Sequence, residues 1–465
     1  MSSSLESRFD VYCDDLVKAL SHADRSQPAR WYLKGLMLPG SRKSIEPMAA
    51  RVYPENVRSA HQSMHHLVAD AEWSDEALLA KVTRLVLPAL KRGADAISWI
   101  IDDTGFPKKG THSVGVARQY CGPVGKTDNC RVAVSLSVGT RAGSLPVGYR
   151  LYLPREWTDD PERCLAAGVP SMITFATKNE IARAQIEAAL KAGIPRGTVL
   201  GDAAYGDDTA LRDWLSEQNL IYALGVRTGT TVWWGEHQPV AAPITGKRGK
   251  TKTHLTRDKN HQPISVLALA KALAPQCFRT VTWREGVSEP LRSRFARVRV
   301  RAAHRDVPRE EEWLVIEWPK GEAEPTRYWM STHPKEMTFA ELVDSIKARW
   351  HIERDYQELK QEFGLGHYEG RNWRGFHHHA SLCIAAYGFL MHERLSGAKK
   401  NADQLKEPVL PEDFRPRGAR ADATAHAGLD RHITLSLGAR HFPRLATMPM
   451  LRASIRQSYE YLVTR

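Results

Sequence analysis

Three charged residues late in the chain, Arg349, Glu353 and Lys360, are four and then seven residues apart, which places them on roughly one face of a helix. A carboxylate flanked by two cations on one stripe is also the ordinary pattern of surface ion pairs, and spacing alone favours that reading. Two further acids close short apolar runs. Asp102 ends AISWIID (96–102) and Asp202 ends TVLGD (198–202), and an aspartate at a strand end also serves simply to form a turn. Asp103 follows Asp102 directly. Successive strand residues face opposite ways, so only one of this pair can join a shared site. Asp207 and Asp208 fit an N-cap and a first-turn charge for the next helix.

Other groups invite chemistry less strongly. Arg297, Arg299 and Arg301 alternate with Val298 and Val300, giving one basic strand face that either tracks DNA or is the wet side of a sheet. Trp233, Trp234 and Trp283 could stack on an extruded base, although packing is the simpler role for each. His377, His378 and His379 suggest a metal, but consecutive helical residues point about 100° apart and cannot close on one ion. Cys383, one turn on, does not change that, and a structural or DNA-proximal role is expected for the three histidines. None of the six cysteines forms a C-x-x-C pair, which excludes a zinc ribbon, and a reducing cytoplasm is the simpler setting. No phosphate-binding loop or dinucleotide fingerprint is present. The net charge of +13 calls for a polyanionic partner, nucleic acid or an anionic membrane surface. No apolar run is long enough to span a bilayer and no secretory signal begins the chain, so a membrane is not expected.

The elements that must position these residues follow from periodicity. Residues 1–92 read as helical. Within them SRKSIEPMAARV (41–52) fits either part of a DNA-binding helix-turn-helix or a plain surface helix. Strands are expected at 96–102, 131–139 and 145–153, then a helix at 179–191, a strand at 198–202, a helix from about 207 and a strand at 221–226. Three strands able to pair antiparallel, followed by helix–strand–helix–strand, is the order of an α/β, RNase H-like mixed sheet rather than of a doubly wound fold. Residues 93–226 would form the first part of that core. Residues 227–335 read as a β-rich insertion with strands at 293–301 and 313–318. Residues 336–398 carry the final helices, and 399–465 look peripheral. One long helix is expected from Thr338 to Phe363, with a Thr338/Glu341 capping box at its start and Gly364 at its stop.

The run R-W-x-I-E (349–353) with a lysine seven residues further on resembles the Y-R-E-K signature of bacterial insertion-sequence transposases, the IS-four superfamily of DDE transposases. Arg349, Glu353 and Lys360 match it, whereas the tyrosine position holds Ile346. Further segments are similar to the IS-seven-oh-one branch: IDDTGFPKKG (101–110), RQYCGPVGKTDNC (118–130), LYLPREWTDD (151–160), GDAAYG (201–206) and ELKQEFGLGHYEGRNWRGFHHH (358–379).

This resemblance implies catalytic, metal-binding acids at Asp102, Asp202 and Glu353, with D-x-T-G aligning Asp102 rather than Asp103. Two Mg²⁺ ions, with Mn²⁺ as substitute, suit such acids. Carboxylates are hard-cation ligands, and a metal pair stabilises both attacking and leaving oxygens of an in-line displacement. It also implies phosphate contacts by Arg349 and Lys360, with Lys108 and Lys109 either joining them or lining a solvated loop. The activity implied is cleavage at insertion-sequence ends and 3′-hydroxyl strand transfer into target DNA. The implied partners are double-stranded terminal inverted repeats and target DNA, with a homodimer on DNA in a bacterial, nucleoid-associated setting. The alternatives are an RNase H-like nuclease without strand transfer and a catalytically inactive DNA-binding regulator.

Overall fold

The computed structural model describes residues 4–404, except residue 95 and the segments 236–239, 242–254, 257–260, 285–289 and 305–308. The C-terminal segment read as peripheral therefore lies, beyond residue 404, outside the described residues. Among those described, no helix is long and apolar enough to cross a membrane.

Five helices lead the chain: α1 (Leu5–Val17), α2 (Ser26–Met37), α3 (Ile45–Val52), α4 (Val57–Ala69) and α5 (Asp75–Leu90). Ser4, Asn56 and Ser74 cap α1, α4 and α5, each accepting a backbone N–H three residues on that would otherwise have no partner. As the apolar spacing predicts, Leu78, Leu79, Val82 and Val86 line the buried face of α5. Within the stretch read as a recognition-helix candidate, Lys43 turns inward. It is only 4% exposed and donates to the carbonyls of Leu36, at 2.8 Å, and Leu38. Arg51 donates to the Arg42 carbonyl at 2.9 Å. These two cations close the α2–α3 junction.

Mixed α/β architecture follows, built on a large, mostly antiparallel open sheet that is compatible with an RNase H-like arrangement. Its first strands are β1 (Ser98–Pro107), β2 (Ala117–Cys121), β3 (Lys126–Thr140) and β4 (Gly143–Leu151). After the short helices α6 (Arg155–Thr158) and α7 (Pro161–Ala166) comes α8 (Lys178–Lys191), started by a Thr177/Glu180 capping box. Then β5 (Thr198–Gly201), α9 (Ala203–Gly206), α10 (Thr209–Glu217) and β6 (Tyr222–Val226) complete this part. β3 pairs antiparallel with β1, β2 and β4, and β1, β5 and β6 run parallel in that order.

An extended strand and an added one depart most from the sequence expectation. β1 continues five residues past Asp102, because buried Phe106 and the pairing of Gly105 with Val132 extend the ladder with β3, so Asp102 is mid-strand. The strand β2 carries exposed Arg118 and Tyr120 in a polar run, which hid its period.

The β-rich stretch comprises β7 (Thr231–Trp234), β8 (Val240–Ala241), β9 (Leu255–Thr256), β10 (Ile264–Ser265), helix α11 (Val266–Ala272), β11 (Arg279–Arg284), β12 (Leu291–Ala302), β13 (Glu312–Glu317) and β14 (Arg327–Ser331). The strands β8 and β9 form a small sheet of their own. The others extend the main sheet beyond β6 through an antiparallel β14–β6 pairing.

The single long helix expected at 338–363 is two, α12 (Phe339–Lys347) and α13 (Trp350–Gln361). At the junction Ala348 N–H is shared between the Asp344 and Ser345 carbonyls, and Ile352 N–H bonds to the Arg349 carbonyl, a tightening that breaks the i−4 ladder. The Thr338/Glu341 capping box is present, and Gly364 has φ +67° as a helix-terminating glycine requires. The last helix, α14 (Trp373–Gln404), packs against the N-terminal helices, so one apolar core runs from Leu5 to Met391.

Candidate active site

Parallel pairing of Ile100 with Leu200 sets β1 beside β5. Asp102 and Asp202 each lie two residues further along, side by side where β5 ends and β1 runs on. Asp202 has extended backbone and its Oδ1 accepts the Ala204 N–H at 2.9 Å, capping α9, so it serves the turn while leaving its other oxygen for the site. Helix α13 brings the third acid. Arg349, at its N-terminal edge, donates through Nη1 to Asp102 Oδ2 at 3.1 Å and through Nη2 to Glu353 Oε1 at 3.2 Å. One turn of helix separates Arg349 from Glu353, so a single guanidinium spans the first and third acids.

Burial dominates the electrostatics of Asp102, whose side chain is 16% exposed. Loss of water pushes its pKa up, Arg349 opposes that, and the neighbouring Asp202 charge adds to it, leaving a carboxyl at about 7. For Arg349 burial pulls the pKa down, but Asp102, Glu353 and Asp202 together outweigh it and raise it on balance. Glu353, by contrast, is 66% exposed.

Asp103 faces the other way, as strand geometry requires. It accepts a 2.7 Å hydrogen bond from Lys178 at the start of α8. Further along α13, the Tyr356 and Ser135 hydroxyls are hydrogen-bonded at 2.7 Å, and Ser135 is the cross-strand partner of Asp102. Lys360 donates to the Gly105 carbonyl at 3.1 Å with its ammonium over the Phe106 ring, and burial lowers its pKa to about 8. Thus Asp102, Asp202, Arg349, Glu353 and Lys360 gather against one strand. Lys108 follows the end of β1 and donates to the Tyr368 carbonyl at 2.9 Å, and Lys109 is exposed.

The basic strand stands apart from this group. Arg297 donates to the Met337 carbonyl and stacks on Trp313, Arg299 donates to the Glu311 carbonyl, and Arg301 pairs with the Glu311 carboxylate at 3.0 Å. Each is engaged within the sheet extension. Trp233 is buried, Trp283 packs edge-on to Phe295, and Trp234 is 40% exposed.

The three histidines are structural fastenings. His377 Nδ1 faces the Trp373 carbonyl and its Nε2 accepts the Leu151 N–H. His378 stacks on Trp73 at 3.6 Å and contacts the Val68 and Trp73 carbonyls, while His379 joins the Tyr32 hydroxyl to the Gly364 carbonyl. Asp208 caps α10, whereas Asp207 accepts from Arg227 N–H and the Thr230 hydroxyl instead of starting the helix.

Two residues near the site escaped the sequence reading. Arg131 is fully buried, donates to the Tyr368 carbonyl at 3.2 Å and lies over the Phe376 ring. A lone arginine opening the apolar run RVAVSLSVG was its only signal. Tyr205 is 1% exposed, with no hydrogen-bond partner for its hydroxyl among the described residues, and it feels the charges of Asp103, Asp102 and Asp202. Its position in GDAAYG, three residues past the second acid, was the available clue.

The donor set has the chemistry a hard divalent cation prefers, but among the described residues no three such side chains are grouped closely enough to hold one. The set consists of carboxylates alone, two at adjoining strand positions, and a positive group already sits between the first and third. The class of protein follows from comparison of the whole chain. The family model of DDE superfamily endonucleases matches residues 15–290, more than half of the chain, and the chain belongs to that family. The matched range contains Asp102 and Asp202. Among individual relatives, a protein described as "Probable transposase for insertion sequence element IS701" from Microchaete diplosiphon is 33% identical over 222 residues, 47% of this chain and 53% of the relative. The chain thus spans about half the length of that curated relative.

Proposed function

We propose that this protein is a DNA transposase that cuts at insertion-sequence ends and joins the freed 3′-hydroxyl to target DNA. The observation that carries the reading is the grouping of Asp102, Asp202 and Glu353 around Arg349 in a chain of the DDE endonuclease family. The name of its relative, a transposase for an insertion sequence, supports it. In this reading the strands β4-β3-β1-β5-β6 are the RNase H-like core and the strands beyond β6 are its insertion.

Asp102, Asp202 and Glu353 would hold the metal, two Mg²⁺ ions with Mn²⁺ able to replace them. Bound there, it would supply Lewis-acid stabilisation of the attacking and leaving oxygens. The chain's own groups do the rest. Tyr356 and Ser135 brace the strand beside Asp102, and Lys178 engages Asp103 on the other face. Arg349, Lys360, Lys108 and Lys109 offer positive charge to the DNA backbone on the same side of β1, without reading sequence. Two ends must be held at once, so a homodimer on double-stranded inverted repeats is proposed, acting in the bacterial cytoplasm.

A strand-transfer assay with cognate ends and Mg²⁺ or Mn²⁺ tests the reading. Asp102→Asn, Asp202→Asn and Glu353→Gln should each abolish joined product. Metal-dependent nicking by the native chain without any joined product would point to a nuclease instead. Full activity of one of these variants would remove that acid from the site.

A further inference from the structure

The acids proposed as metal ligands are arranged around a cation the protein already owns. Among the described residues no three Asp, Glu, His or Cys side chains are close enough together to hold a metal ion. Arg349 stands between two of the proposed ligands. Its two terminal nitrogens are committed to different acids, one on β1 and one on its own helix, at 3.1 and 3.2 Å. The side chain is 24% exposed, so it is not sealed from solvent. Of these groups Arg349 also feels Asp202, so the fields of all three acids converge on it.

We infer that Arg349 keeps the place of a cation between the first and third acids, and that a divalent ion enters only as the guanidinium leaves. The inference rests on the metal-site reading above and deepens it by naming the residue that sets metal affinity. A guanidinium and a divalent ion cannot both occupy the space between Asp102 Oδ2 and Glu353 Oε1, and their positive charges repel across it. Arg349 therefore competes with metal in the free protein. Once displaced, it is available for a DNA phosphate. Arg349 is a positioning residue here, acting on the metal through the carboxylates it occupies.

The experiment is a Mn²⁺ titration of the full chain without DNA, reading free Mn²⁺ by electron paramagnetic resonance, for the native protein, Arg349→Met, Arg349→Lys and Asp102→Asn. Arg349→Met removes the competing charge while keeping the apolar stem, so its Mn²⁺ affinity should rise at least about tenfold. Asp102→Asn should lose binding. If Arg349→Met fails to fold, Arg349→Lys carries the test. A compact ammonium cannot face both acids with two separate donors, so it should bind Mn²⁺ more tightly than the native chain, by about threefold. Equal or weaker Mn²⁺ binding by the folded Arg349 variants overturns the inference and leaves the metal site standing. Absence of Mn²⁺ binding in every protein, the native chain included, overturns the metal-site reading and this inference with it.

Discussion

Lys178 donates to Asp103 at 2.7 Å and so engages the second of two adjacent aspartates that strand alternation turns to opposite faces of β1. Asp102 is left to face Arg349 and Asp202, while Asp103 anchors the first residue of α8 to the sheet.

Asp103→Asn should therefore act on packing more than on chemistry. The ion pair is about a quarter exposed on each side, so its loss should cost about 1 kcal/mol or less. Strand-transfer activity should fall less than tenfold, against a loss of at least about 100-fold for Asp102→Asn. Chemical denaturation paired with the joining assay measures both. An Asp103→Asn protein as inactive as Asp102→Asn, yet equally stable to denaturant, would reverse the roles given to the two residues.

His377 and His379 give a pH dependence with a defined sign. Each is satisfied as a neutral ring, one nitrogen donating to a carbonyl and the other accepting from Leu151 N–H or the Tyr32 hydroxyl. Burial lowers both from 6.5 to about 4. Their stabilisation is fully present above 6.5 and is lost as pH falls through about 4, because the unfolded chain takes up the protons first. Between pH 6 and 4.5 the two together should lower the unfolding free energy by about 2 to 3 kcal/mol per pH unit. Urea unfolding across that range should reveal the slope, and His379→Gln should reduce it. A flat profile would argue against neutral buried rings.

Gly206→Ala probes the close approach of α9 to β6. A β-carbon at Gly206 would lie 1.8 Å from the Gly225 carbonyl oxygen, and both partners are backbone. Relief requires moving the segment that follows Asp202. A loss of about 3 kcal/mol is expected, with activity down about 100-fold where the protein still folds, from displacement of the second acid. Thermal melts and the joining assay read the two effects separately; native-like values in both would show that the contact yields cheaply.

Ile346→Tyr restores the signature tyrosine in sequence only. Ile346 is 3% exposed on α12, within the core. The larger ring and its hydroxyl should destabilise by about 1 to 3 kcal/mol and leave DNA affinity unchanged. A gain in DNA affinity, measured by fluorescence anisotropy, would show that this position reaches the backbone after all.

Much of this arrangement was legible in the chain because it is local. The i,i+4 spacing of Arg349 and Glu353 and the capping box at Thr338 need only a few residues to specify. Asp202 was placed by the short strand that precedes it. What escaped depends on partners far away in sequence. The extension of β1 past Asp102 is decided by its ladder with β3. The break between α12 and α13 is a backbone tightening at Ala348 that no helix-breaking residue announces. The basic strand looked available for DNA because nothing in 297–301 announces Glu311 or Trp313 as partners. The guanidinium bridge itself joins residues 247 apart, so spacing on the helix could place Arg349 beside Glu353 but not beside Asp102.

The inward turn of Lys43 has a mechanical consequence. Its side chain lies where any β-carbon at position 364 would meet it, its backbone N–H meets His367 Nδ1 at 3.1 Å, and His379 joins the Gly364 carbonyl to Tyr32 of α2. The helix bearing Glu353 is therefore clamped at its far end to the N-terminal helices, like a lever whose fulcrum belongs to another part of the machine. Trimming the chain to a minimal catalytic fragment that starts near β1 would remove that fulcrum. Such a fragment would lose the aim of its third acid along with whatever the leading helices grip.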